Sequence, residues 1–148
     1  MSTNKPREVQ ETEIVDAVRR MIASAVLYSH QVAERLRLGP SDAQFMTLLE
    51  VHGPLTPGRL AELTGLRTGT VTGVLDRLER AGFVRRERDA TDRRKVIVSR
   101  VDEQIRERVE PHYAGHAEAM VRLLRRYDAD QLALIADFLH AATGDAEH

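Results

Sequence analysis

The sequence predicts a mainly α-helical fold that carries one small β-hairpin. Three observations predict it. Apolar residues recur at helical spacing near both ends of the chain, two short helices around a glycine turn stand in the middle, and two β-capable runs split by a turn-rich linker follow them.

Ile14, Val18, Met21, Ala25, Tyr28, Val32 and Leu36 lie three or four apart, the stripe of a long amphipathic helix. Leu38-Gly39-Pro40 ends it, and Pro40 suits the first turn of a second helix, where a missing N–H costs nothing. That helix carries Phe45, Leu48, Leu49 and Val51 as its apolar residues and stops at His52-Gly53-Pro54. Thr56 before Pro57 is a helix start with a capping hydroxyl, and Leu60, Ala61 and Leu63 give the short apolar face. Gly65 allows a tight turn, after which a fourth helix buries Val71, Val74, Leu75 and Leu78 and stops at Gly82. Two short helices around such a turn form a helix-turn-helix.

Residues 83–88 and 95–100 are β-capable, and 89–94 reads as the turn of a hairpin. A two-stranded hairpin is marginal by itself, so this one is expected to lie beside the fourth helix and form a winged helix. From Asp102 a helical stripe returns through Ile105, Val109, Tyr113, His116, Met120 and Tyr127. Pro111 should kink or break it near Glu110, because proline has no N–H to donate and its ring meets the carbonyl four residues back. Tyr127-Asp128-Ala129-Asp130 caps a last helix containing Leu132, Leu134, Ile135, Phe138 and Leu139.

Composition bounds the function. A chain of 148 residues, 42% hydrophobic and 30% charged, supports a domain with a modest core. With no Trp, three Phe and three Tyr, that core must come from Leu, Val, Ile and Ala. The absence of cysteine excludes disulfides, thiol redox sensing and Cys-ligated metals. Residues 1–16 carry both signs of charge and no apolar run, and no segment approaches the length of a membrane span, so a cytoplasmic protein is expected. No nucleophile elbow, phosphate-binding loop or Ser-His-Asp arrangement is readable, and the sequence points to no enzyme, cofactor or metal.

The net charge of −1 conceals an uneven distribution: −1 over residues 1–76, +5 over 77–100 and −5 over 101–148. A basic segment in a near-neutral chain fits a footprint for a polyanion, and equally a solvated surface hairpin. The fourth helix separates the two. Its outward positions are Thr68, Gly69, Thr70, Thr72, Gly73, Asp76 and Arg77. Each glycine there costs about 1 kcal/mol against alanine. Small residues admit a close surface, hydroxyls bond phosphates or base edges, and Thr methyls can touch thymine methyls. This fits a recognition helix entering a major groove, with Arg67 and Arg77 able to clamp a phosphate or grip a guanine.

These residues resemble the MarR family of winged helix-turn-helix transcription regulators. Four elements carry the resemblance in the right order: Leu55-Thr56 through Leu60-Ala61, Thr70-Val71-Thr72, Asp76 through Arg86, and Asp92-Arg93-Arg94. It extends over roughly residues 11–142. It implies a homodimer on a pseudo-palindromic double-stranded DNA operator, acting as a ligand-responsive repressor. Residues 11–37 and 102–142 would form the helical dimerisation region, 38–101 the DNA-binding domain, with a flexible start at 1–10 and a frayed tail at 143–148. Long apolar stripes at both ends support dimerisation independently, although the two ends could instead pack on each other within one chain.

DNA contacts are thereby expected from Arg67, Thr68, Thr70, Thr72, Arg77, Arg86, Arg94 and Lys95, with Arg94 in a minor groove and Arg86 and Lys95 near backbone phosphates. Asp89 or Asp92 would hold arginine side chains in position. The chain departs from the family pattern at Gly73, where relatives often carry a long polar residue. It departs at Arg67, leaving Thr68 to take the helix cap, and at Arg100-Val101, where Asp102 would cap the next helix. A small phenolic or carboxylate effector is implied, with Tyr28, His30, Phe45, Tyr113 and His116 as its candidate pocket; ordinary core packing would account for the same five residues. Two other classes remain open: a winged helix used for protein interaction, and a metal sensor built on His112 and His116, four apart on one helix.

Overall fold

The computed structural model describes residues 5–144. The expected flexible ends fall outside these residues except for 5–10 and 143–144. The chain divides into two compact units between Val109 and Glu110.

The first unit opens with the long helix α1 (Arg7–Arg35). Its end is formed not by Gly39 but by Arg37, at a left-handed φ of 57°, while the Leu38 N–H bonds the Ala33 carbonyl at 2.8 Å. Helix α2 (Pro40–His52) begins with its proline as foreseen. The Asp42 carboxylate accepts the Gly39 N–H at 3.0 Å, satisfying one of the donors that a helix start leaves open. Helix α3 (Pro57–Thr64) begins with the Thr56 hydroxyl accepting the Arg59 N–H at 3.1 Å, and ends at Gly65 with φ 70°. Helix α4 (Thr68–Arg80) follows. Strands β1 (Val84–Arg88) and β2 (Val96–Arg100) pair antiparallel with Arg86 opposite Val98. Leu55 adds a bridge on the other side of β2: its N–H bonds the Val98 carbonyl at 3.0 Å, and the Val98 N–H returns to the Leu55 carbonyl at 2.7 Å. The hairpin is thus tied to the chain just before α3.

The core lies under α4. Val71, Val74, Leu75 and Leu78 pack with Phe45 and Leu49 of α2, Leu60 of α3, and Phe83, Val84 and Val98 of the hairpin. One expectation fails. Val51 is 71% exposed, since it lies two residues beyond Leu49, roughly 200° around α2. Leu48 packs at the edge of the core.

After β2 the Val101 N–H bonds the Phe83 carbonyl at 2.9 Å, extending the strand geometry by one residue. The short helix α5 (Asp102–Gln104) is then entered through Val101 with no side-chain cap, so Asp102 lies in the first turn rather than capping it. A π-helical stretch (Ile105–Val109) follows. It lies just before Pro111, near the place where an irregularity is expected from the proline.

The second unit holds α6 (Glu110–Leu124) and α7 (Ala129–Thr143). Asp128 caps α7 reciprocally, with Asp128 Oδ1 accepting the Gln131 N–H and Gln131 Oε1 accepting the Asp128 N–H, both at 2.9 Å.

Candidate nucleic-acid interface

Helix α4 turns one face to the core and the other to solvent. Its four apolar residues are each 1% exposed or less, which obliges Arg67, Thr68, Gly69, Thr70, Thr72 and Arg77 to be exposed. The Thr72 hydroxyl donates to the Thr68 carbonyl at 3.0 Å. Arg67, not Thr68, is the residue flanking the helix start, and no side chain caps it; the first amides of α4 therefore keep their donors for an external acceptor.

Arg77 does not extend freely. Its Nε and Nη2 donate to Asp42 Oδ1 at 3.3 and 3.0 Å. Asp42 is buried, and sequence reasoning had not singled it out. The available signal was its place three residues after Gly39, a capping position.

Arg86 of β1 binds back onto α4. Its Nη2 donates to Asp76 Oδ1 at 2.6 Å and Glu79 Oε1 at 2.9 Å, and its backbone N–H donates to Glu79 Oε2 at 3.1 Å. The Arg86 hydrogen bond holds the Glu79 carboxyl below its ordinary value, and the Glu79 bond in turn raises Arg86. The hairpin is braced to the recognition helix by this pair of carboxylates. At the other end of α4, Arg108 stacks over Phe83, 4.2 Å from the ring centre, and donates to the Ala81 carbonyl at 2.5 Å.

The hairpin tip is self-supporting. Asp89 Oδ1 accepts the Thr91 N–H and hydroxyl at 3.2 Å, Asp92 Oδ1 accepts the Arg94 N–H at 3.1 Å, and Arg88 Nη1 donates to the Arg93 carbonyl at 2.8 Å. Asp89 and Asp92 therefore fold the turn instead of holding arginine side chains, a correction to the expected role. Their short side chains reach the backbone two residues on more readily than a distant guanidinium. Arg93, Arg94 and Lys95 at the tip, and Arg67 at the start of α4, are exposed and form no ion pair with any described residue.

The five pocket candidates are not gathered by the first unit. Phe45 is fully buried in the core, where truncating such a side chain costs about 3–5 kcal/mol. Tyr28 is half-buried on α1, while Tyr113 and His116 belong to the second unit. His30 alone lines a cleft of about 580 Å3 formed with Ala25, Val26, Ala33, Pro40 and Ala43 among others. Among the described residues no group of three or more His, Asp or Glu side chains is placed to hold a metal, His112 and His116 included. No described helix is long and apolar enough to cross a membrane.

A helix-turn-helix whose second helix shows solvent a Thr/Gly face, flanked by a braced basic hairpin, defines a winged helix-turn-helix DNA-binding protein. The MarR family model matches residues 40–96. The HTH-type transcriptional regulator YcgE of Bacillus subtilis (strain 168) is 35% identical over 142 residues, covering 96% of this chain and 92% of that protein. The chain belongs to the MarR family and is a transcriptional regulator of that type. Among solved structures, the transcriptional regulator Tm0710 from Thermotoga maritima superposes with a TM-score of 0.61 at 25% identity, over 91% of this chain and 95% of that one. The S. aureus MepR F27L mutant bound to an oligodeoxyribonucleotide superposes with a TM-score of 0.54 at 20% identity, over 90% and 98%.

Proposed function

We propose that the protein is a cytoplasmic repressor that binds a pseudo-palindromic operator as a homodimer, with α4 of each protomer in a major groove and each hairpin tip on an adjacent minor groove. The observation that carries this is the exposed Thr68–Thr72 face of α4 beside the unpaired cations Arg93, Arg94 and Lys95. In this reading Arg67, Thr68, Thr70, Thr72 and Arg77 meet bases or phosphates, Arg94 enters the minor groove and Lys95 meets the backbone. Arg86, already bonded to two carboxylates, serves by holding the wing on α4. The MepR complex with an oligodeoxyribonucleotide lends the reading support by analogy of fold.

Two recognition helices on a two-fold dimer reach successive major grooves about 34 Å apart. An effector that binds better to a dimer of different spacing lowers DNA affinity by that difference in binding energy. Of the small phenolic or carboxylate effectors expected, a cleft of about 580 Å3 with many aliphatic residues and with His30 and Glu34 at its wall suits the phenolic kind better, since the Glu34 carboxylate repels a like charge. An anisotropy titration against the DNA upstream of the gene, compared with a scrambled duplex, tests the core of the proposal. Specific binding that weakens steeply with salt is expected. Equal binding to both duplexes, or a complex indifferent to salt, would favour a protein-interaction module.

A further inference from the structure

We propose that Asp42 is a positioning residue for DNA recognition: it fixes the guanidinium of Arg77 so that this arginine acts as a directed hydrogen-bond donor rather than a mobile counter-charge. The inference rests on the DNA-binding reading of α4 and adds a residue of α2 that does not face DNA.

Three features of the geometry carry it. First, the carboxylate is itself immobilised. Its Oδ2 accepts the Gly39 N–H at 3.0 Å and its side chain is only 8% exposed, so it is anchored by the start of α2. Second, its Oδ1 takes two nitrogens of Arg77, Nε at 3.3 Å and Nη2 at 3.0 Å, which sets both the position and the plane of a side chain that is still 55% exposed. Third, the remaining nitrogen, Nη1, lies over the recognition face. It is 3.9 Å from the point where any residue other than glycine would carry a Cβ at position 73. The missing side chain at Gly73 leaves that nitrogen uncovered. An arginine held this way has lost its rotamer freedom during folding, so ordering it adds little to the cost of binding DNA. The adjacent negative charge also offsets its attraction for phosphates in general, which favours geometry over charge.

The test compares wild type, Asp42→Asn, Arg77→Ala, Arg77→Lys and the Asp42→Asn/Arg77→Ala double variant. The probes are a duplex selected by the wild-type protein from a random-sequence pool and a scrambled duplex of the same composition. The amide introduced by Asp42→Asn retains an oxygen for the Gly39 N–H but offers no charge to Arg77. Circular dichroism establishes that each variant is folded at the assay temperature. Asp42→Asn is expected to lower the preference for the selected duplex by about tenfold to a hundredfold, the worth of one well-oriented contact. It should also steepen the salt dependence on scrambled DNA by up to ~0.9 in the logarithmic slope, as a freed cation begins to displace counterions. Arg77→Lys should behave as Arg77→Ala does in preference, because a single ammonium cannot hold Asp42 and still present a directed donor. The double variant should be no worse than Arg77→Ala. The proposal is overturned if Asp42→Asn leaves the preference intact, or if it costs the same factor in the Arg77→Ala background, since it would then act through the fold alone. A wild-type protein without preference for any duplex overturns the DNA-binding reading as well, a result distinct from either of these.

Discussion

Gly69 and Gly73 are required by nothing inside the folded chain. A Cβ at 69 would meet open space, one at 73 would meet only Arg77 Nη1 at 3.9 Å, and neither residue has a positive φ. Gly73, inside the helix, nevertheless weakens α4 by about 1 kcal/mol. Gly73→Ala is therefore expected to raise stability by roughly 0.5–1 kcal/mol in urea unfolding while weakening specific DNA binding several-fold. A variant both more stable and equally tight on DNA would remove close approach as the reason for the glycine. At the wing tip, Arg94→Ala should weaken binding to all duplexes and reduce the salt slope by about one unit for each phosphate that the arginine neutralises. An unchanged affinity and slope would take Arg94 off the DNA. Both residues were legible in the sequence, one as a helix-weakening glycine on an outward face, the other as a cation in a turn. Asp42 was not, because its partner Arg77 is 35 residues away and only packing brings α2 and α4 together.

At the scale of elements, the hairpin depends on α4 for its position. Its strands are only five residues each, and a lone hairpin of that size is marginal in water. The brace from Glu79 to Arg86 and the Leu55 bridge to Val98 supply the tertiary ties. The brace carries a pH dependence. Glu79 has a folded-state pKa below its ordinary 4.5, so its contribution to stability is present above that value and is lost as pH falls through the lowered one. Glu79→Gln should be less stable than wild type at neutral pH, with the gap closing in denaturant titrations as the pH is taken below the ordinary carboxylate range. A gap that persists in acid would assign the loss to packing rather than to the ion pair. The effect should be modest, because both partners are partly exposed and screened by salt. The sequence placed the wing correctly beside the recognition helix. It misjudged Asp89 and Asp92, whose bonds to the turn backbone depend on a local conformation that charge counting does not reveal.

At the scale of the whole molecule, α1, α6 and α7 each carry large apolar residues that are exposed, although Val32 near the end of α1 is buried. Ile14, Met21 and Leu27 on α1, Met120 on α6, and Leu134 and Phe138 on α7 are between 49% and 70% exposed. Exposed apolar residues in this number suit an interface between protomers. Leu134→Glu combined with Phe138→Glu is expected to convert the proposed dimer to monomers in sedimentation equilibrium, since each side chain of this size buried at an interface contributes about 1.5–3 kcal/mol. It should also reduce operator affinity, because the paired half-sites are no longer bound together. A double variant that sediments as wild type would show that α7 does not form the interface.

The sequence by itself determined the order and type of the elements, the inward residues of α4, the caps at Thr56 and Asp128, and the family. These depend on local periodicity and on hydrogen bonds spanning three or four residues, which can be read along a chain. Only the tertiary structure decided that Phe45 belongs to the core, that Val51 faces solvent, that Arg86 is bound by Asp76 and Glu79, and that Arg77 is directed by Asp42. Those outcomes depend on which faces meet once the helices pack. A cation in a sequence has only its charge, whereas in the fold each carboxylate within reach decides whether that charge is satisfied inside the protein or offered to DNA.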